Sequence, residues 1–406
     1  MKNRHIPLLL LLLCIPAQAA LAQEKFTLDS ALALALQNSP DYFAIARERA
    51  YRDAESYDAE QFKNPELELN TTLLEKNDST GISAELTFPL KPSQFGSRQS
   101  MARAIRDISS LEERMRTLSL KHRVTEAYLD LWIVQEHKEF LEENLKFARS
   151  TNKTVSNAAS RGEVGKAASI LFKAEVLQYE DELLELDAQE KAAQIRLFKL
   201  INAPLQITRL QDPQLGLLPE TIQQEGLGLP RDILATRARI ADIQVQVARQ
   251  DSSFPEFSPR LTFSEGFDND SRAAGIGVRL QLPFGSPSKG ELTRARAEQS
   301  YAAASLKAYD TLGYESLLQK GLGNAQLMQN RTKRYENEII PAFEDSFQAM
   351  QRMFKNGQAS VIELWQFHER LHEAELKRLE VFENAFIAEM ELEALMGTAL
   401  NASAGE

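Results

Sequence analysis

The apolar positions of this chain change period several times, and each change marks an element. Leu28–Leu36 reads as a short helix that stops near Asn38-Ser-Pro40, and a second helix runs from about Asp41 to Phe62 before Pro65 breaks it. The pattern then alternates. Leu67, Leu69, Thr71 and Leu73 share one strand face, and Glu66, Glu68, Asn70 and Thr72 the other. Asn77-Asp-Ser-Thr-Gly81 is turn chemistry. The return strand sets Ile82, Ala84, Leu86 and Phe88 against Ser83, Glu85 and Thr87. Next comes a heptad seam: Leu120, Val124, Ala127, Leu131, Val134, Lys138, Leu141, Leu145 and Ala148, with Lys138 its one polar member. The helix carrying it, from about Ser97 to Ala158, would be roughly 90 Å long at about 1.5 Å per residue. A helix of that length cannot fold back on a compact core, so it needs helical neighbours throughout. The following helix, about Lys166 to Ile201, is apolar on two flanks. One carries Ile170, Leu177, Leu184 and Ile195, the other Leu183, Leu186, Ala193, Leu197 and Leu200, which predicts a neighbour on each side.

The whole order then repeats. Pro65 and Pro259 are 194 positions apart, as are Pro89 and Pro283, while Gly162 and Gly357 are 195 apart. In the second copy Leu261, Phe263 and Phe267 oppose Arg260, Thr262 and Ser264, and Ile276, Val278, Leu280 and Leu282 oppose Gly277, Arg279 and Gln281. A second long helix, about Leu292–Lys355, should kink at Pro341, and its return helix spans about Val361–Gly397. The resulting organisation is a first repeat over 23–202 with its hairpin at 66–90, a connector over 203–229, a second repeat over 230–397 with its hairpin at 260–284, and a short tail over 398–406. Strands of about nine residues, apolar on one face, match transmembrane β-barrel strands. They equally match an amphipathic hairpin resting on a soluble core. Two lone strands per repeat cannot bury a sheet by themselves, so each unit must donate them to something larger.

Lys2 and Arg4, the apolar run Leu8–Ile15 and the small residues Ala17–Ala22 read as a secretory signal peptide over 1–22. Cys14 lies inside that run after Leu13, where a lipid anchor would require a small residue, and the remaining chain has no cysteine. Removing Lys2 and Arg4 takes the formal charge from −11 to −13, which excludes nucleic acid as a natural partner. No Gly-rich phosphate loop, nucleophile elbow or Cys/His cluster appears, so neither catalytic residues nor a cofactor are expected. His368-Glu-Arg-Leu-His372 matches the zinc-protease spacing, with Glu369 in the general-base position. No third ligand is in reach: Glu391 on the same straight helix would lie roughly 28 Å away. The pattern is read as a chance occurrence on a charged helix.

Together these residues resemble the TolC-like outer-membrane efflux family over nearly the whole chain. The resemblance rests on the Leu/Ala-rich opening before Asn38-Ser-Pro40, the proline before each hairpin, and the Phe-Pro-Leu90 and Leu-Pro-Phe284 strand ends. Ile-Ile-Pro341 and the two glycine turns complete it. The compact length and short tail look most like the CzcC-like metal-efflux branch. The resemblance implies a mainly α chain with a small β part. As a homotrimer it would form a 12-stranded barrel in the outer membrane of a Gram-negative cell, seated on a 12-helix periplasmic tunnel. The prolines would sit where strands meet helices. Implied partners are outer-membrane lipid, a periplasmic adaptor and an inner-membrane pump. By the same resemblance Gly162, Glu163, Val164, Gly357, Gln358 and Ala359 are adaptor-docking tips, and Glu363 with Gln366 forms the periplasmic gate. The first tip reads as about two residues longer than the family spacing, so no gate residue is assigned there. Two other readings stand beside the efflux duct: the outer-membrane component of a type I protein secretion system, and a soluble periplasmic coiled-coil adaptor.

Overall fold

The computed structural model describes residues 26–74, 79–91, 95–203, 209–219, 228–253, 256–266, 272–281 and 289–400. The expected signal peptide, Pro283 and most of the tail lie outside these residues, as does part of the connector.

Helix α1 (Leu28–Asn38) starts at Thr27, whose hydroxyl accepts from the Ser30 amide at 3.0 Å. Ser39 ends α1 and also caps α2 (Pro40–Glu60), with Pro40 at its first turn. Strands β1 (Glu66–Leu74) and β2 (Ser79–Thr87) form one antiparallel hairpin, and β3 (Glu256–Gly266) and β4 (Arg272–Gln281) the other. The two hairpins join through β2 and β3, antiparallel, in one sheet ordered β1-β2-β3-β4. Pro259 does not mark the helix–strand boundary as expected. It lies inside β3, opposite Val278, and its carbonyl accepts from the Phe88 amide at 2.9 Å. Proline's fixed φ suits an extended chain, and the missing N–H falls at the sheet end where the β2 pairing is running out.

Helix α3 (Phe95–Ser160) is unbroken over 66 residues, about 100 Å at the α-helical rise. Its heptad seam is buried: Leu120, Val124, Leu131, Leu141 and Ala148 are fully covered. α2 packs along the sheet-proximal half of α3 and α4 (Lys166–Ile201) along the distal half. Asn202, at φ +47, ends α4 and donates to the Asn38 carbonyl at 3.1 Å, joining the end of α4 to the end of α1. The second copy repeats this with α5 (Leu229–Ser253) on α6 (Lys289–Thr311), and α9 (Val361–Met396) on α7 (Tyr314–Arg334) and α8 (Ile340–Lys355). The end-to-end junction here is tighter. A Cβ on Gly397, at φ +71, would sit 2.1 Å from that of Leu229.

The second long helix is not one helix bent at Pro341. It breaks at Gly313, whose φ of +68 stops α6, and widens into a π turn over Tyr335–Ile339 immediately before Pro341. There the Ile340 amide donates back to Tyr335, five residues earlier. Pro341 has no N–H to offer Asn337, and the widened turn absorbs that loss.

The described part of the connector is tied across the helices. Tyr128 donates its hydroxyl to the carbonyls of Phe26 and Gln211, each at 2.7 Å, and Trp132 donates to Asp212 at 3.2 Å. Further along, the Gly216 amide donates to buried Glu389 at 3.0 Å. The largest apolar cluster sits beneath this belt, where α1, α3, α4 and α9 meet.

Candidate functional site

The site has two ends. At the sheet end, much of the face predicted to be apolar is uncovered: Leu67, Leu69, Ile82, Leu261, Phe263, Ile276, Val278 and Leu280 are exposed, Ile276 at 88%, while Ala84, Leu86 and Phe88 are half-buried and Phe267 and Leu282 lie outside the described residues. A soluble hairpin would turn that face onto a core. Here the helices leave it bare. The opposite face carries an ion cluster in which Glu85 of β2 accepts from Arg279 of β4 at 3.0 Å and from Arg260 of β3 at 3.4 Å. Gly277 makes room for Arg260, since a Cβ there would meet its guanidinium at 2.6 Å. Sequence reading placed these residues on the polar face and missed their union. The signal was present: Glu85 and Arg279 are 194 positions apart, equivalent sites of opposite charge in the two repeats. Among the described residues β1 and β4 have no strand on their outer sides, which leaves the sheet two free edges.

At the other end, the two tips are built alike. Gly162 at φ +77 and Gly357 at φ +71 occupy the left-handed region, and neither has a neighbour within 4 Å of where a Cβ would stand. In each turn the glycine amide donates three residues back, to Ala159 or Phe354, and the next amide five back, from Glu163 to Ala158 and from Gln358 to Met353. This is a Schellman turn, twice. Each turn has five residues between helices, 161–165 and 356–360. Glu163 is exposed and paired with Arg161 at 2.7 Å, which holds its carboxyl below the usual range. Val164 and Ala359 are half-buried, Gln358 exposed.

Glu363 and Gln366 are both exposed on the first turns of α9. Glu363 accepts from the Ser360 amide at 2.7 Å, and Ser360 accepts from the Glu363 amide at 3.2 Å, a complete capping box. The backbone and hydroxyl of Ser360 lower the Glu363 pKa. The corresponding position of the first tip is Ala168, three after Gly165, so that hairpin brings no carboxylate to the same level.

The zinc-protease-like pair is not on a charged surface. His368 and His372 are buried, His368 4% exposed, among the aromatic side chains where α3, α4, α8 and α9 meet. Glu369 accepts from the Tyr179 hydroxyl at 3.0 Å instead of facing a free position. Among the described residues no cluster of three or more His, Cys, Asp or Glu could hold a metal. None of the described helices is long and apolar enough to cross a membrane.

No family model matches the chain. Its fold is that of outer-membrane channels. The outer membrane protein VceC of Vibrio cholerae aligns with a TM-score of 0.75 at 17% identity, over 92% of this chain and 96% of that one. The outer membrane channel CmeC of Campylobacter jejuni aligns with a TM-score of 0.75 at 13% identity, over 93% and 87%. Among curated proteins, the chain is 24% identical over 396 residues to the cobalt-zinc-cadmium resistance protein CzcC of Cupriavidus metallidurans, covering 94% of this chain and 93% of that protein. The resemblance to the TolC-like family thus extends over nearly the whole chain, with a CzcC relative among its members.

Proposed function

We propose that the protein is the outer-membrane exit duct of a tripartite efflux system. It is a homotrimer that exports small solutes or metal ions delivered by an inner-membrane pump and a periplasmic adaptor. The observation that carries this reading is the four-stranded sheet with two free edges and a largely bare apolar face, seated on a helical body whose longest helix runs about 100 Å. In lipid such a sheet is stable only when closed. Three copies supply twelve antiparallel strands, with β4 of each beside β1 of the next and the Glu85 face lining the lumen. The exposed flank of α4, from Ile170 to Ile195, supplies a helical face for the adjoining protomer. The chain makes and breaks no bond, and its energy comes from the pump. The name of the CzcC relative supports divalent metal ions as cargo.

The matched glycine turns support adaptor docking at Gly162–Val164 and Gly357–Ala359. Glu363 is the constriction carboxylate, one per chain in a three-fold ring, with Gln366 beside it. Glu363→Ala should raise single-channel conductance or remove divalent-cation block. Ser360→Ala breaks the same capping box but keeps the charge. An equal rise in both variants would assign the effect to the cap rather than to the ring.

The primary test is fractionation of outer and inner membranes, followed by heat-modifiable migration and mass of the detergent-extracted protein. An outer-membrane assembly of three protomer masses is expected. A soluble monomer would overturn the duct and return the hairpins to an adaptor.

A further inference from the structure

The buried His368/His372 pair lies where the distal part of the second hairpin meets the first. The His368 ring is stacked on Phe147 of α3 at 4.4 Å and on Trp365 at 5.1 Å, with Phe347 of α8 closing a third side. Its Nδ1 is buried and has no hydrogen-bond partner. His372 lies flat on Phe140 of α3 at 5.3 Å, and its Nδ1 is 2.9 Å from the Asn144 amide nitrogen. In this orientation of the Asn144 amide the nitrogen donates, so Nδ1 accepts and the packed imidazole is neutral. A proton on Nδ1 would set donor against donor.

We propose that His368 and His372 form an acid-released latch: neutral, they hold the second hairpin's tip against the first, and protonated they release it and open the tunnel. The proposal rests on the duct reading above. The ionisable groups facing the pair come from three helices. α3 contributes His137, whose Nε2 lies 3.4 Å from Glu182 of α4. α4 contributes Glu182, Tyr179 and Glu175, whose pKa is raised by burial and by the neighbouring Glu369. α9 contributes Glu369 and Glu373. α8 presents the uncharged Phe347. Glu182 and Glu373 favour a protonated His372, but burial outweighs them and lowers its pKa. Burial, reinforced by His372, pushes His368 down to about 4. No carboxylate offsets this for His368.

The direction follows from linkage. With the hairpins apart, an exposed imidazole titrates near the ordinary value of about 6.5. Above that pH neither state binds the proton and the latch is at full strength. As pH falls from about 6.5 toward 4, the separated state takes protons that the packed state refuses, so packing weakens. For His368 alone the released-to-packed ratio should rise about 30-fold per chain between pH 7.5 and 5.

The chain has two tryptophans, Trp132 and Trp365. In a Trp132→Phe background Trp365 alone reports on its stacked partner, because a protonated imidazole quenches indole fluorescence. The experiment titrates Trp365 emission, hydrogen exchange over 361–372 and bilayer conductance of the full assembly from pH 8 to 4.5. All three are expected to change together below pH 6.5. His368→Phe and His372→Gln, the latter keeping an acceptor for Asn144, should flatten the response while leaving the pH 8 values in place. An unchanged acid response in both variants, or amides at 361–372 that stay protected to pH 4.5, overturns the latch. If no variant conducts, the duct reading fails separately, and exchange with Trp365 emission still decides the latch.

Discussion

Lys138 shows how a single residue that breaks a pattern reports on its neighbour. It interrupts the apolar seam of α3, and in the structure its ammonium lies 2.6 Å from Asp187 and 2.9 Å from Glu190 of α4. Those hydrogen bonds raise its pKa, and the paired Asp187 is lowered. The depressed Asp187 contributes stability above its unfolded pKa that is lost as pH falls through the folded one. Lys138→Ala should lower the thermal midpoint by the equivalent of about 0.5–1 kcal/mol, measured by circular dichroism. A Lys138→Leu variant that matched the native midpoint would show that packing, not the ion pair, holds the position. Both the seam and its exception were legible in the sequence. The partners were not, because Asp187 and Glu190 are two of many acidic residues on α4. The burial of His368 and His372 was hidden for a related reason. Their helix is charged on average, and only its docking decides which charges face water.

At the scale of elements, the repeat spacing carried more than it first showed. The offset is 194 at both hairpins and 195 at the tips. A π turn holds one residue more than an α turn, and the turn at Tyr335–Ile339 lies between those landmarks. The extra residue is thus taken up without rotating α8 off α9. Deleting Asn337 together with Pro341→Ala should give a continuous helix and leave the thermal midpoint within a few degrees. Deleting one residue near Leu131 of α3 should abolish cooperative folding, since it rotates the distal seam by about 100°. Comparable losses from the two deletions would refute this account. The break at Gly313 had no such signal, since isolated glycines also occur inside helices, as Gly321 and Gly323 do in α7.

At the scale of the whole molecule, exposed apolar surface is the dominant fact. Ile276 on the sheet and Leu184 on α4, 88% and 69% exposed, are too large and too patterned to face water. They should fail differently. If the sheet is a barrel wall as proposed, Ile276→Lys would place a charge against lipid, about 2–4 kcal/mol per chain near the bilayer midplane, and should block membrane insertion. Leu184→Asp lies on the helices and should weaken the trimer, seen as loss of the slow-migrating band, while α-helical content is kept. An inserted, heat-modifiable trimer from Ile276→Lys would refute the barrel assignment for β4.

The sequence by itself determined the periods: a strand alternation of two, a helical seam of three and four, and their doubling along the chain. From these came the element order, the long helices, the two flanks of α4 and the turn glycines. These are local consequences of which side chains must share a face. Tertiary structure alone decided the joining of β2 to β3 and the Glu85–Arg260–Arg279 cluster. It likewise decided the burial of the two histidines. Each of these brings together residues distant in the chain or chooses among equivalent polar neighbours, and a periodic pattern specifies a face without naming what packs against it.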